Sequence, residues 1–147
     1  MAFFTQLKPG MSKKGTYNEV KRYMSGFNEY SGMGFDSNGT LCLLTCYDTG
    51  RQNKYSDKCI FKDQVLEKVV YYESVKKPLC NEMNKRLYED SISKRPVLYG
   101  HYFKKNLFGE CRFTPYGEFV VTEDVDYNTT KDKRAPRRYI LETNKNQ

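Results

Sequence analysis

Tryptophan is absent, and histidine occurs once, at His101. A single imidazole excludes a two-histidine acid–base pair and a histidine-ligated metal nuclease centre. The five cysteines, Cys42, Cys46, Cys59, Cys80 and Cys111, are odd in number, and no two stand in CxxC spacing. A structural zinc site would need four of these thiols at irregular spacing, so no metal and no cofactor are expected. Reduced, mostly buried thiols fit a cytoplasmic protein. No apolar run is long enough for a membrane span, and Met1-Ala-Phe-Phe-Thr-Gln-Leu-Lys8 is too short and polar for a signal peptide. Internal repeats and low-complexity segments are also missing.

What is present is a basic, aromatic chain of 147 residues with a net charge of +7, 38% hydrophobic and 15% aromatic residues. This composition is globular, and the length fits one domain over 1–147, whole or as part of a longer protein. Thirteen tyrosines favour strands and supply rings that can stack on bases. An excess of positive charge suits a polyanion, through phosphate neutralisation and counterion release.

Along the chain, an edge strand is expected over 3–10. Thr16-Tyr-Asn-Glu19 reads as a capping box opening a short helix that Gly26 stops. Residues 27–38, rich in Gly, Ser and Asn, read as a loop, and Asn38-Gly39 turns into a strand over 41–47. Strands are also expected over 59–61, 65–72, 97–103, 108–113, 118–122 and 138–141. The polar loop 48–57, the hairpin loop at Lys104-Lys-Asn-Leu107 and the Tyr116-Gly117 turn separate some of them. A helix is expected over 81–90, with Met83, Leu87 and Tyr88 facing inward. This pattern specifies an α+β fold: a curved, mainly antiparallel sheet or partly open β-barrel with about two flanking short helices.

Charge is concentrated near the end. Lys131, Lys133, Arg134, Arg137 and Arg138 are opposed only by Asp132, giving +4 of the total +7. The acids Glu118, Glu123, Asp124 and Asp126 precede them, so the pattern reads as segregated charge and a directed electrostatic face. Lys13, Lys14, Arg51, Lys54, Lys58, Lys104 and Lys105 fall in expected loops, where a sheet scaffold carries its contacts. In the pairs Tyr71-Tyr72 and Tyr102-Phe103, strand alternation sends one ring inward and one outward. No residue is favoured as a nucleophile or general base. Catalysis by this segment is not expected, and any nuclease or motor would lie on another segment or a partner.

Several passages together carry a resemblance. They are Thr16-Tyr-Asn-Glu-Val-Lys21, Gly26 through Gly34 leading into Leu41-Cys-Leu-Leu-Thr45, and Asn53-Lys-Tyr-Ser-Asp57. Tyr71-Tyr-Glu-Ser74 with Asn84-Lys-Arg-Leu87 follow, then Arg95 through Phe103, Gly109-Glu-Cys-Arg-Phe113 and Gly117-Glu-Phe-Val120. In this order they resemble the PUA/SRA-like DNA-reading domains of bacterial restriction endonucleases and defence helicases. The chain departs from that family in lacking its usual pocket tryptophan and in having Tyr72-Glu-Ser74 where Tyr-x-Gly is common.

The resemblance implies a specificity module that grips double-stranded DNA and reads a modified or flipped base. It implies a base pocket of Tyr47, Tyr55, Asp57, Tyr71, Tyr72, Ser74 and Asn84, with Asp57 and Asn84 as hydrogen-bonding readers. It implies phosphate contacts from Lys13, Lys14, Arg51, Lys54, Lys104, Lys105, Arg134, Arg137 and Arg138. Asp and Asn at such positions also serve as turn and loop caps. Two other expectations stand beside this one: an RNA-binding module, and a phage- or virus-encoded inhibitor acting by protein–protein contact.

Overall fold

A computed structural model of the chain describes residues 10–28, 32–48, 57–74, 81–104 and 110–143. The expected strand over 3–10, the hairpin loop after Lys104 and most of the 48–57 loop lie outside these residues. The described residues fall into two compact units, one drawn from Met1–Arg51 and Val97–Glu118, the other from Gln52–Pro96 and Phe119–Gln147.

The first unit opens with β1 (Lys13–Thr16) and α1 (Tyr17–Tyr23). Thr16 caps α1 as its position before Glu19 predicts: its hydroxyl accepts from the Glu19 amide at 3.3 Å. Gly26 was expected to stop this helix. The helix already ends at Tyr23, where Met24 turns extended and returns its amide to the Val20 carbonyl, and Gly26 instead lies in β2 (Ser25–Asn28).

The expected loop over 27–38 also holds β3 (Met33–Phe35), paired on one side with β2 and on the other with β4 (Leu41–Asp48). Strands this short and Gly-rich carry no periodicity signal; pairing with a neighbour, not propensity, makes them. Asp36 closes the turn into β4, its carboxylate accepting from the amides of Asn38 (2.9 Å) and Thr40 (2.8 Å).

β4 runs parallel to β7 (Val97–Lys104), with Leu43 opposite Tyr99 and Tyr47 opposite Phe103. Leu41, Cys42, Leu43 and Leu44 are all buried, so both faces of β4 are covered, and this strand reads as a continuous apolar run. β7 neighbours β8 (Glu110–Glu123), whose first residues pair antiparallel with β1. Val20 of α1 and Met24, its C-cap, pack with Cys42, Leu44, Leu98, Tyr102, Cys111 and Phe113 to form this unit's core.

The second unit contains β5 (Lys58–Lys62), β6 (Val65–Tyr72), α2 (Asn81–Ser93), the Phe119–Glu123 part of β8, α3 (Val125–Thr130) and β9 (Arg138–Thr143). Its strand order is β8-β9-β6-β5, antiparallel throughout. Leu66, Val69, Tyr71, Phe119, Val121, Tyr139 and Leu141 are buried, as are Met83 and Leu87 of α2.

Two features differ from expectation here. Tyr116-Gly117 does not turn: Gly117 takes a φ of +97°, yet the strand continues through it. α3 arises in what read as a plain acidic stretch. Asp124 caps it by accepting from the Tyr127 amide at 3.2 Å, and because no residue of α3 is buried it has no apolar stripe to announce it.

The α+β class and the largely antiparallel pairing are therefore as expected. The parallel β4–β7 pair makes the sheet mixed, and three helices are present among the described residues.

Gly32 shows how tightly the first unit is closed. Its φ is +67°, its carbonyl accepts from the Leu44 amide at 2.6 Å, and a Cβ there would collide with the Leu44 carbonyl oxygen. Gly39 also has a positive φ, +75°, but open space around it. Gly32→Ala is therefore expected to lower the unfolding free energy in urea by at least ~2 kcal/mol, and Gly39→Ala by only about 1 kcal/mol. Equal losses would show that the close approach at Gly32 is not what matters.

Candidate nucleic-acid interface

Alternation along β1 and β8 sorts their side chains onto two faces. Gly15 opposite Cys111 lies on the side of the buried Phe113, which Lys13 faces at the strand edge. The other face presents Ser12, Lys14 and Thr16 against Thr114, Arg112 and Glu110. Lys14 is the direct cross-strand partner of Arg112, and both are exposed. Neither forms a salt bridge or side-chain hydrogen bond among the described residues.

Like charges directly opposite on a strand pair cost a few tenths to ~1 kcal/mol. Beside them the hydroxyls of Ser12 and Thr114 join at 2.6 Å, and a hollow of about 210 Å³ is lined by Lys14, Gly15, Thr16, Glu110, Cys111 and Arg112. Two cations and neighbouring hydroxyls are the groups that grip a phosphate oxygen. Glu110 lies at the Thr16 end of the row, so the end formed by Ser12, Lys14, Arg112 and Thr114 carries cations and hydroxyls without a carboxylate. Arg112 escaped the sequence reading. The alternation Cys111-Arg-Phe113 would send it outward, but only the register shows that it meets Lys14.

In the second unit, the expected pocket residues gather at the end of β6. Tyr71 is 2% exposed and belongs to the core, whereas Tyr72 is half-buried. Asp57 accepts from the Tyr72 amide at 3.0 Å. Asn84 clamps the backbone of Ser74 from both sides, its Oδ1 accepting from the Ser74 amide at 3.1 Å and its Nδ2 donating to the Ser74 carbonyl at 2.8 Å. Asn84 and Asp57 thus make the capping contacts open to such residues, and Tyr71 is not a surface ring. Tyr55, Arg51, Lys54 and Lys105 lie outside the described residues, as do the side chains of Tyr47 and Lys104.

The terminal basic run does not form a segregated face. The acidic stretch before it folds back on it. Arg138 donates from Nε to Asp124 at 2.7 Å and from Nη1 to the Tyr72 hydroxyl at 3.3 Å, and its guanidinium lies 4.2 Å from the centre of the Tyr127 ring. Asn128 holds the Arg138 backbone from both sides. Arg137 pairs with Glu123 at 2.9 Å, and its guanidinium stands 5.1 Å over the half-exposed Tyr88 ring. Arg134 touches Asp132 at 3.7 Å with both side chains in solvent, a contact of little energetic weight. Lys133 and Arg134 are the cations this run leaves outermost, while Arg138 is a structural clamp.

No group of three His, Cys, Asp or Glu residues that could hold a metal occurs among the described residues. His101 stands on β7 edge-on to Tyr99 and Tyr116, at 5.6 and 4.7 Å between ring centres, and the Tyr99 hydroxyl is bonded to Thr45. Burial lowers its pKa from 6.5 to about 4, so the ring is neutral at neutral pH. Burial, with the charge of Asp36, pushes the Cys42 thiol far above its ordinary range and leaves it a poor nucleophile. No helix among the described residues is long and apolar enough to cross a membrane.

No family model and no curated protein matches the sequence. Among solved structures, the chain is similar to the Type IV phosphorothioation-dependent restriction endonuclease ScoMcrA, at 15% identity and a TM-score of 0.48. It is also similar to the sulfur binding domain and SRA domain of ScoMcrA complexed with phosphorothioated DNA, at 17% identity and a TM-score of 0.48. Each match covers 92% of this chain, but only 27% and 38% of the other, so the chain spans well under half the length of either.

Two outcomes follow for the buried polar groups. Between pH 6.5 and about 4 the unfolded chain takes up a proton at residue 101 that the folded chain refuses, so stability is expected to fall on acidification through this window. His101→Gln should flatten that part of the curve; an unchanged curve in denaturant titrations would assign the loss to other groups. Asn84→Ala, which strips the Ser74 clamp, is expected to cost ~1–3 kcal/mol in the same assay.

Proposed function

We propose that this chain is a DNA-binding specificity module that serves a restriction or defence system. Any nuclease or motor activity would reside on another segment or on a partner protein. The observation that carries the proposal is the Lys14–Arg112 pair. Two exposed cations sit face to face with no counter-charge bound to them among the described residues, at an energetic cost that a phosphate would reverse. The chain's net charge of +7 adds a general attraction for a polyanion.

In this reading Lys14 and Arg112 fix the duplex by its backbone. Backbone contacts position a duplex but carry no sequence information, so a mark on the DNA must be met elsewhere. The finer part of the proposal is that a modified or flipped base is met near the end of β6. There Tyr72 is the described ring of the expected pocket that stays at the surface. Arg138 and Tyr127 hold that ring from behind: its centre lies 5.7 Å from that of Tyr127.

The test is fluorescence anisotropy with one duplex, unmodified and modified, over a range of salt concentrations, with RNA of the same sequence alongside. Binding is expected to weaken steeply with salt. The double variant Lys14→Ala, Arg112→Ala should lower the slope of log K against log salt by about 2, equally for both duplexes. Tyr72→Ala should change the ratio between modified and unmodified DNA and leave the slope alone. Salt-independent binding, or a slope that the double variant does not alter, would overturn the proposal, and tighter binding of RNA would redirect it.

A further inference from the structure

We infer that the Lys14–Arg112 row continues onto the exposed ring of Phe103, and that row and ring together hold an unpaired nucleotide, with its phosphate on the cations and its base stacked on the ring. The inference rests on the DNA-binding reading above and adds a contact to a base, which the cation pair cannot make.

Alternation sorts this face of the first unit. Along β8, Arg112, Thr114 and Tyr116 are exposed or half-buried, while Cys111, Phe113 and Pro115 are buried. Along β7, Leu98 and Tyr102 join the core with Phe113, so Tyr99, His101 and Phe103 take the other face. Ring contacts tie the two rows together: the centre of Tyr116 lies 4.7 Å from that of His101 and 6.3 Å from that of Tyr99.

β7 and β8 are neighbours in the sheet, and the connection from Lys104 to Glu110 is too short for a parallel crossover, so the strands run antiparallel. On β7 the next residue of this face after His101 is Phe103. On β8 the residues that precede Tyr116 on it are Thr114 and Arg112. Antiparallel strands bring these steps side by side, so Phe103 stands beside Thr114 and Arg112, with Ser12 and Lys14 of β1 beyond them.

Tyr102 is 2% exposed and Phe103 is 37% exposed. One exposed ring is ordinary on a protein surface. Its place next to two cations and a pair of hydroxyls is what selects a nucleotide. A purely anionic partner would use the cations and leave the ring idle. A purely apolar partner would strip water from Lys14 and Arg112 without compensation. A nucleotide offers a phosphate and a flat π-face in adjoining positions. The carboxylates Glu110 and Glu118 stand at the two ends of this stretch of β8, with Arg112, Thr114 and Tyr116 between them, and so confine the strand that is held to a short piece. In a paired duplex each base face is covered by its neighbours. The ring therefore finds a partner only where a base stands out of the stack, as in a single-stranded overhang.

The test is fluorescence anisotropy with a blunt duplex, the same duplex with a short single-stranded overhang, and that overhang made abasic, which keeps every phosphate and removes only the bases. The overhang with bases is expected to bind at least about fivefold more tightly than its abasic form. Phe103→Ala should abolish that difference and leave the salt slope unchanged. Phe103→Tyr, which keeps a flat ring, should retain it. The side chain is exposed, so the unfolding midpoint of either variant should stay close to that of the parent chain. Salt-dependent binding that is equal for the two overhangs, or a difference that survives Phe103→Ala, would overturn this inference and leave DNA binding standing. Absence of salt-dependent binding to any of these DNAs would overturn both. A dimer in sedimentation velocity that Phe103→Ala dissociates would assign the ring to self-association instead.

Discussion

Backbone hydrogen bonding between β1 and β8 sets Lys14 against Arg112, and the cationic row of this strand pair depends on that register. A slip of one residue would carry Lys14 to the core side and bring Lys13 or Gly15 outward. Several contacts prevent the slip. The Gly10 amide extends the ladder to the Pro115 carbonyl at 2.7 Å, and Ser12 meets Thr114 beside it. At the other end, Val20 of capped α1 and the adjoining Met24 are buried against Cys111 and Phe113. The apolar core thus decides where the two exposed cations stand.

Net charge alone would have mislocated the cationic surface. The run near the end of the chain has five cations against one acid, but the fold brings its acidic neighbours onto it. Arg138, between Asp124 and two tyrosine rings, has its donors and its ring-stacking face occupied within the chain. Releasing it to a phosphate would break a short charge-assisted bond and leave Asp124 without its partner. The Lys14–Arg112 pair stands at the opposite extreme, with no side-chain hydrogen bond or ion pair among the described residues.

The strands whose apolar alternation or apolar run is long, β4, β6 and β7, stand in the sequence with nearly their observed bounds, and so does α2. Their signal is burial, which a sequence displays directly. β1, β2, β3 and α3 were invisible because each is short: β1 is held by β8 far along the chain, β2 and β3 by each other and by β4, and α3 by a single capping aspartate. The same distinction governs the candidate sites. That Tyr71 and Tyr72 point in opposite directions follows from alternation. That Asn84 is spent on Ser74, that Glu123 reaches Arg137, and that Arg112 faces Lys14 are facts of register and long-range pairing, and one sequence holds no trace of them.

The parallel pairing of β4 with β7 has a consequence for how the protein comes into being. β4 ends at Asp48 and its partner begins at Val97, with β5, β6 and α2 in between. On a ribosome, the apolar Leu41–Leu44 stretch emerges well before the strand that covers one of its edges. Closing so long a loop is entropically slow, and an uncovered apolar strand is where nascent chains adhere to one another. The step that limits productive folding is then the late docking of β7, and the yield of native protein is governed by how long that strand edge waits.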